Sequence, residues 1–147
     1  MNRRLFLQAF TLAQATETVV DEELAAIGLP AYLVGLLFQI RERAPVAPSR
    51  ISATTGTPAT TLRDNIQRLV DRGLVRRKPN PGDGRSYLVE LTPHGESLAV
   101  DAGDSLLRAY LVLEGRLPRP LAEYQATLDE LTEAMEGLLA ETAAESA

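Results

Sequence analysis

The chain has 147 residues, enough for one domain or one domain with helical extensions, and at this size it can bury roughly 70% of its unfolded surface without staples. It has no cysteine, which excludes a disulfide framework, a zinc ribbon, a cysteine nucleophile and thiol-based redox sensing. The net charge is −5 but unevenly spread: residues 41–92 carry ten basic and five acidic side chains, net +5, whereas 1–40 carry −2 and 93–147 carry −8. A basic centre between acidic ends is a candidate anion-binding surface, with ends that repel polyanions.

The N-terminus "MNRRLFLQAFTLAQA" mimics a secretory signal, with a basic start, an apolar stretch and a small-residue ending. Gln8 and Thr11 interrupt that stretch, and Leu5, Ala9, Leu12, Thr16, Val20 and Leu24 continue one helical face past the mock cleavage site. The periodicity therefore predicts an amphipathic helix over 2–25. A second, more apolar helix follows over 30–43; its segment "LPAYLVGLLFQI" is too short to span a bilayer. "APVAPSR" reads as a break, 48–55 as a short helix closed by Gly56, and 57–72 as a helix with Thr57 as N-cap and Pro58 at its first position. Leu62, Ile66, Leu69 and Val70 form its buried stripe and Gly73 ends it. "LVRRKP" and "RSYLVELT" are strands around the turn "NPGDG"; a helix runs from Pro93 to about 113, and a last one over 121–141 before a frayed tail.

A short helix, a tight turn and a second helix make a helix-turn-helix. The second helix of that unit normally enters the DNA major groove by its N-terminal residues. These are Pro58, Ala59, Thr60, Thr61, Arg63 and Asp64, opposite the apolar stripe. Ala and Thr suit thymine methyls, and Arg63 or Arg68 can reach a guanine edge or a phosphate. Arg50 on the preceding helix, with Arg77 and Lys78 on the first strand, extends the cationic set. The turn cannot bury its tip, so Arg85 is free to enter the narrow, negative minor groove of A·T-rich DNA. Asp83 is placed to brace the Arg85 guanidinium or to pair with Arg77. A plain solvated hairpin is the alternative reading.

The run "ATTLRDNIQRLVDRGLVRRKPNPGDGRSYLVELTPHGE" resembles the MarR family of bacterial transcriptional regulators. The family pattern Asp-x-Arg-x-x-x-Val/Leu-x-Leu-Thr-x-x-Gly fits Asp83, Arg85, Val89, Leu91, Thr92 and Gly95 in order. The flanking helices match in number and placement but hardly in sequence. The resemblance implies a mainly α fold: a winged helix-turn-helix with a small β-hairpin wing, flanked by N- and C-terminal dimerisation helices. It implies boundaries at 1–29 for the N-terminal dimerisation helix, 30–92 for the DNA-binding unit and 93–147 for the C-terminal helices. It also implies a cytoplasmic homodimeric repressor on double-stranded, pseudo-palindromic DNA, with Arg85 as wing arginine and Asp83 as its brace. The family often has arginine where this chain has Asp64, with Arg63 one place earlier. A one-residue step turns a side chain by about 100°, so both remain candidates for the DNA face.

From the residues alone, two apolar helical faces at the chain ends have little core of their own, and a two-fold interface would cover them. Many relatives in the family release DNA when a small molecule, often aromatic and anionic, binds between the dimer helices and the DNA-binding unit. Phe10, Gln14, Glu17 and Leu36 are candidate contacts for such an effector, or else ordinary core and interface residues. One histidine, His94, and scattered carboxylates do not make a metal site, and no cofactor is expected. An enzyme would need a nucleophile–base pair or clustered carboxylates, neither of which the sequence offers. The reading is a sequence-specific DNA-binding regulator; the alternative is a winged-helix protein-interaction module.

Overall fold

A computed structural model describes residues 4–145, as six helices and one hairpin among those residues. In order these are α1 (Arg4–Glu23), α2 (Ala31–Arg43), α3 (Pro48–Thr55), α4 (Ala59–Asp71), β1 (Val75–Pro79), β2 (Tyr87–Leu91), α5 (Pro93–Glu114) and α6 (Leu121–Glu145). The expected start of α1 at residue 2 lies outside the described residues. The last helix runs on through the alanine-rich tail to Glu145 rather than ending at 141. Alanine has the highest helix propensity and no proline or glycine intervenes, so nothing stops the helix there.

The core is one apolar cluster inside the central unit. Leu33, Leu37 and Ile40 of α2 meet Ile51 of α3, Ile66 and Leu69 of α4 and Val89 of β2, each at most 2% exposed. No polar or charged side chain is buried among the described residues. The apolar i, i+4, i+7 spacing of Leu62, Ile66 and Leu69 turns α4 inward along one stripe, while Val70 at the rim is half-buried.

Local chemistry fixes the joints between these elements. Gly73 closes α4 at φ +67°: its N–H donates to the Val70 carbonyl at 2.8 Å, and the Leu74 N–H donates to the Leu69 carbonyl at 3.0 Å. That is the paired closure a left-handed glycine permits. At the start of α5, Thr92 accepts the Gly95 N–H at 3.0 Å, and its hydroxyl donates to the Gly73 carbonyl at 2.6 Å. One threonine thus caps α5 and ties it to the end of α4. A Cβ on Gly95 would lie 2.0 Å from the Leu74 carbonyl oxygen, so only glycine lets α5 approach β1 this closely. The first turns of α5 belong to the central packing, since Ala99 and Ala102 are buried in the same cluster.

Two expectations at turns are corrected. The break "APVAPSR" contributes a strand contact: Val46 and Val89 exchange backbone hydrogen bonds at 3.1 and 2.9 Å, so β2 is flanked on both sides. The Ala44–Pro45 peptide is cis. At α4 the helix starts one residue late. Pro58 is the N-cap, with no side-chain cap, and Thr57 stays in the turn. The Thr57 hydroxyl is taken by Thr55 at 2.9 Å and its carbonyl by the Ser52 hydroxyl at 2.7 Å, so it has no geometry left for capping.

The outer helices are different. Neither α1 nor α6 contains a buried residue. Phe6, Leu7 and Phe10 on α1, Leu111 on α5 and Leu138 on α6 are all more than half exposed. The end of α6 packs against α3, and Leu139 reaches the helix-turn-helix turn, 3.3 Å from where a Cβ of Gly56 would stand. No helix among the described residues is long and apolar enough to cross a membrane.

Candidate nucleic-acid interface

With Leu62, Ile66 and Leu69 buried, the opposite side of α4 is set out to solvent. Ala59, Thr60, Thr61, Arg63 and Asp64 are all exposed, as is Pro58 before them. Both Arg63 and Asp64 therefore remain available.

Behind α4, the hairpin forms an antiparallel ladder pairing Val75 with Leu91, Arg77 with Val89 and Pro79 with Tyr87. Cross-strand chemistry stiffens it. Glu90 accepts from Arg76 Nε at 2.6 Å and from Lys78 Nζ at 2.8 Å. The hydrogen bond from Lys78, followed by that from Arg76 and the charge of both, holds the Glu90 carboxyl below its ordinary value despite some desolvation. Arg77 sits over the Tyr87 ring at 4.9 Å and donates to Gln67 Oε1 at 2.8 Å. Gln67 in turn donates to Asp71 at 2.6 Å, one helical turn on. Gln67 thereby couples the wing base to α4. Sequence reasoning passed over it; its i, i+4 spacing to Asp71 was the only local signal.

The tip, residues 80–86, is organised by its own side chains. Asn80 Oδ1 accepts from the Gly82 N–H at 3.1 Å, Asn80 Nδ2 donates to the Ser86 hydroxyl at 2.7 Å, and the Asp83 carbonyl accepts from the Ser86 N–H at 3.0 Å. Asp83 does not brace a guanidinium. Its carboxylate accepts the backbone N–H of Arg85 at 3.0 Å, an Asx turn, so it fixes the backbone from which Arg85 projects and pairs with neither arginine side chain. An Asx turn needs only the next-but-one N–H, which is closer to Asp83 than either flexible guanidinium.

The basic side chains divide into two groups. Of the ten between residues 41 and 92, seven have a protein partner among the described residues. Arg68 donates to the Tyr32 hydroxyl at 2.6 Å, and Arg72 to the Gly28 carbonyl at 2.7 Å. The side chains of Arg50, Arg63 and Arg85 have none, and all three residues are exposed. One lies on α3, one on α4 and one on the wing. They can meet an anion without breaking a bond inside the protein, whereas Arg68, Arg77 and Lys78 would first have to leave their partners.

Of the candidate effector contacts, one lies in a cavity. A cleft of about 910 Å³ opens between α1 and α6 on one side and α2 and the end of α3 on the other. Glu17 lines it; Phe10, Gln14 and Leu36 do not. Phe10 and Gln14 fall on the other side of α1 from Leu5, Ala9, Leu12, Thr16 and Val20, and Leu36 is buried in the core. His94 is exposed in the first turn of α5, and no group of three or more metal-ligating side chains occurs among the described residues.

Residues 32–86 match the family model described as MarR family. The HTH-type transcriptional repressor NicR of Pseudomonas putida is 36% identical over 62 residues, 42% of this chain and 39% of that one. The multiple antibiotic resistance protein MarR of Escherichia coli K12 is 31% identical over 85 residues, 58% of this chain and 59% of that one. The transcriptional regulator HosA of Escherichia coli O111:H- is 41% identical over 70 residues, covering 46% and 49%. The chain thus spans about four to six tenths of the length of the curated relatives it matches. The likeness of fold extends further. A mutant MarR from E. coli, complexed with operator DNA, superposes with a TM-score of 0.76 at 24% identity, covering 88% of this chain and 94% of that one. A MarR transcriptional regulator from Methanosarcina mazei Go1 gives 0.80 at 20% identity, covering 92% and 99%. The winged unit is thus similar in sequence to the MarR family, and the flanking helices are matched in fold by solved MarR structures.

Proposed function

We propose that the protein is a transcriptional regulator that binds a pseudo-palindromic DNA operator as a homodimer, and that it is a repressor released by a small ligand. The observation that carries this reading is the set of three arginines without protein partners, one on each element of the winged helix-turn-helix. In it, α4 enters the major groove, with Ala59, Thr60 and Thr61 against thymine methyls and Arg63 or Asp64 at base edges. Arg85 enters the minor groove from a tip that Asp83 has already shaped, so little ordering remains when DNA arrives. Arg50 meets the phosphate backbone, and Arg68, Arg77 and Lys78 add to the positive field from their tethered positions.

The arms supply the second copy. Helices with no buried residue gain little from tertiary packing, and apolar faces as open as those of α1, α5 and α6 mark an interface. A two-fold pairing covers them and sets two α4 helices about 34 Å apart, one DNA turn. The cleft gives ligand control a route. It is bounded by Thr54 and Thr55 at the end of α3 and by Tyr32, whose hydroxyl holds Arg68 of α4. Working on chromosomal DNA, such a protein acts in the cytoplasm.

The deciding experiment is an anisotropy titration against the DNA flanking its own gene and against unrelated DNA of the same length. Specific binding that weakens steeply with salt is expected, by roughly 10³-fold or more between about 50 and 200 mM if six or more phosphates are contacted. Equal affinity for both DNAs, or a flat salt response, overturns the proposal.

A further inference from the structure

The cleft beside α1 has a charge pattern of its own. Its walls are mostly apolar, from Leu12, Val20, Phe38, Leu128, Leu131 and Met135. Among the described residues two charged side chains line it, Glu17 from α1 and Glu136 from α6, and no lysine, arginine or histidine does. Neither carboxylate has a hydrogen bond or ion pair among the described residues. A volume of about 910 Å³ suits a drug-sized molecule, within the usual span of roughly 300–1,000 Å³.

We propose that this cleft takes a lipophilic cation: an apolar, preferably aromatic body carrying a quaternary ammonium, a phosphonium or a protonated amine. Apolar walls reward burial of the body. Filling the cleft strips water from Glu17 and Glu136, which is costly unless the occupant supplies the opposite charge. A cation meets that demand and can also lie against the Tyr32 and Phe38 rings that line the cleft. An anion would stand beside two unpaired like charges, with no cationic side chain among the described lining residues to receive it. The anionic effectors implied by the family resemblance therefore do not fit this cleft. The site's occupancy is independent of DNA binding; only its effect on DNA rests on the regulator reading.

The test compares two probes of matched shape and opposite charge, tetraphenylphosphonium and tetraphenylborate, by calorimetric titration of the full-length protein. The phosphonium should bind at least tenfold more tightly than the borate. The Glu17→Gln/Glu136→Gln double variant should lose at least tenfold in phosphonium affinity and narrow or reverse the preference, with its thermal melt unchanged. A Glu130→Gln/Glu133→Gln variant removes as much charge from exposed positions of α6 outside the cleft, and should bind the phosphonium as the parent does. The proposal is overturned if the borate binds as well, if neither probe binds because a second copy fills the groove, or if the control variant loses as much as the cleft variant. Gel shifts on the same samples separate the two readings. Phosphonium binding with the stated preference but no operator binding removes the regulator and leaves the cation site. Operator binding with indifference to charge does the reverse.

Discussion

The winged unit and the helical arms solve the problem of burial in opposite ways. In the winged unit, α2, α3, α4 and the hairpin close on one another until Leu37, Ile40, Ile66, Leu69 and Val89 have no exposed surface at all. Its joints are closed by Gly73, Thr92 and Gly95, and most of its cations are paired. In α1 and α6 no residue is buried, and large apolar side chains line their length. The difference teaches that the stability of the centre is internal, whereas that of the arms depends on what covers them. The unpaired groups follow the same logic: the arginines the centre leaves free among the described residues, Arg50, Arg63 and Arg85, are all exposed, as the proposed DNA contact requires.

The sharpest way to break this comparison is to charge an arm. Phe10→Asp, on the open side of α1, should dissociate the proposed dimer. Burying a phenylalanine contributes about 1.5–3 kcal/mol and two-fold symmetry counts it twice, so the dimer Kd should rise by a hundredfold or more. Sedimentation equilibrium reads this directly, and a variant that stays dimeric would place Phe10 outside the interface. The centre should unfold no more easily than in the parent monomer.

Gly95→Ala tests the centre. Its methyl group meets the Leu74 carbonyl, and relieving that clash means shifting α5 from β1, at a cost of about 3 kcal/mol in urea unfolding. Unchanged stability would mean that the joint is looser than drawn. Arg85→Ala should lower operator affinity by roughly tenfold or more, as expected for a charge-assisted contact of about 1.5–3 kcal/mol, and leave both unfolding and dimerisation unchanged. A stability loss instead would make Arg85 a structural residue of the wing. Thr92→Ala should cost about 1 kcal/mol, the usual worth of an N-cap.

The smallest effect concerns pH. The Glu90 carboxyl is held below its ordinary value of 4.5, chiefly by the hydrogen bond from Lys78. A lowered carboxyl contributes stability that is fully present above its unfolded value and is lost as pH falls through its folded value. Acid unfolding below about pH 4.5 should therefore be steeper in the parent than in Glu90→Gln. Parallel curves would show that the Arg76–Glu90–Lys78 cluster is broken in solution.

The features legible in the sequence were those written in short-range chemistry. Leu62, Ile66 and Leu69 at helical spacing gave the buried side of α4, and the Asp83–Gly95 pattern gave the wing and the start of α5. The inner face of α1 was correct down to Leu5, Ala9, Leu12, Thr16 and Val20. What escaped depended on neighbours far along the chain. Val46 could be placed in the sheet only once β2 lay beside it. Arg68 looked free until Tyr32, 36 residues earlier, reached its guanidinium. Phe10, Gln14 and Leu36 were offered as ligand contacts without knowing where α6 would lie, and only Glu17 faces the cleft that α6 creates.

The sequence by itself determined the order of the elements, the side α4 buries, its end at Gly73 and the start of α5 at Pro93, because hydrophobic period and capping chemistry act within a few residues. Tertiary structure alone decided which arginines stay unpaired and that Glu17 and Glu136 share one apolar cleft. Those are statements about distance between remote residues, and distance is fixed only when the core has closed.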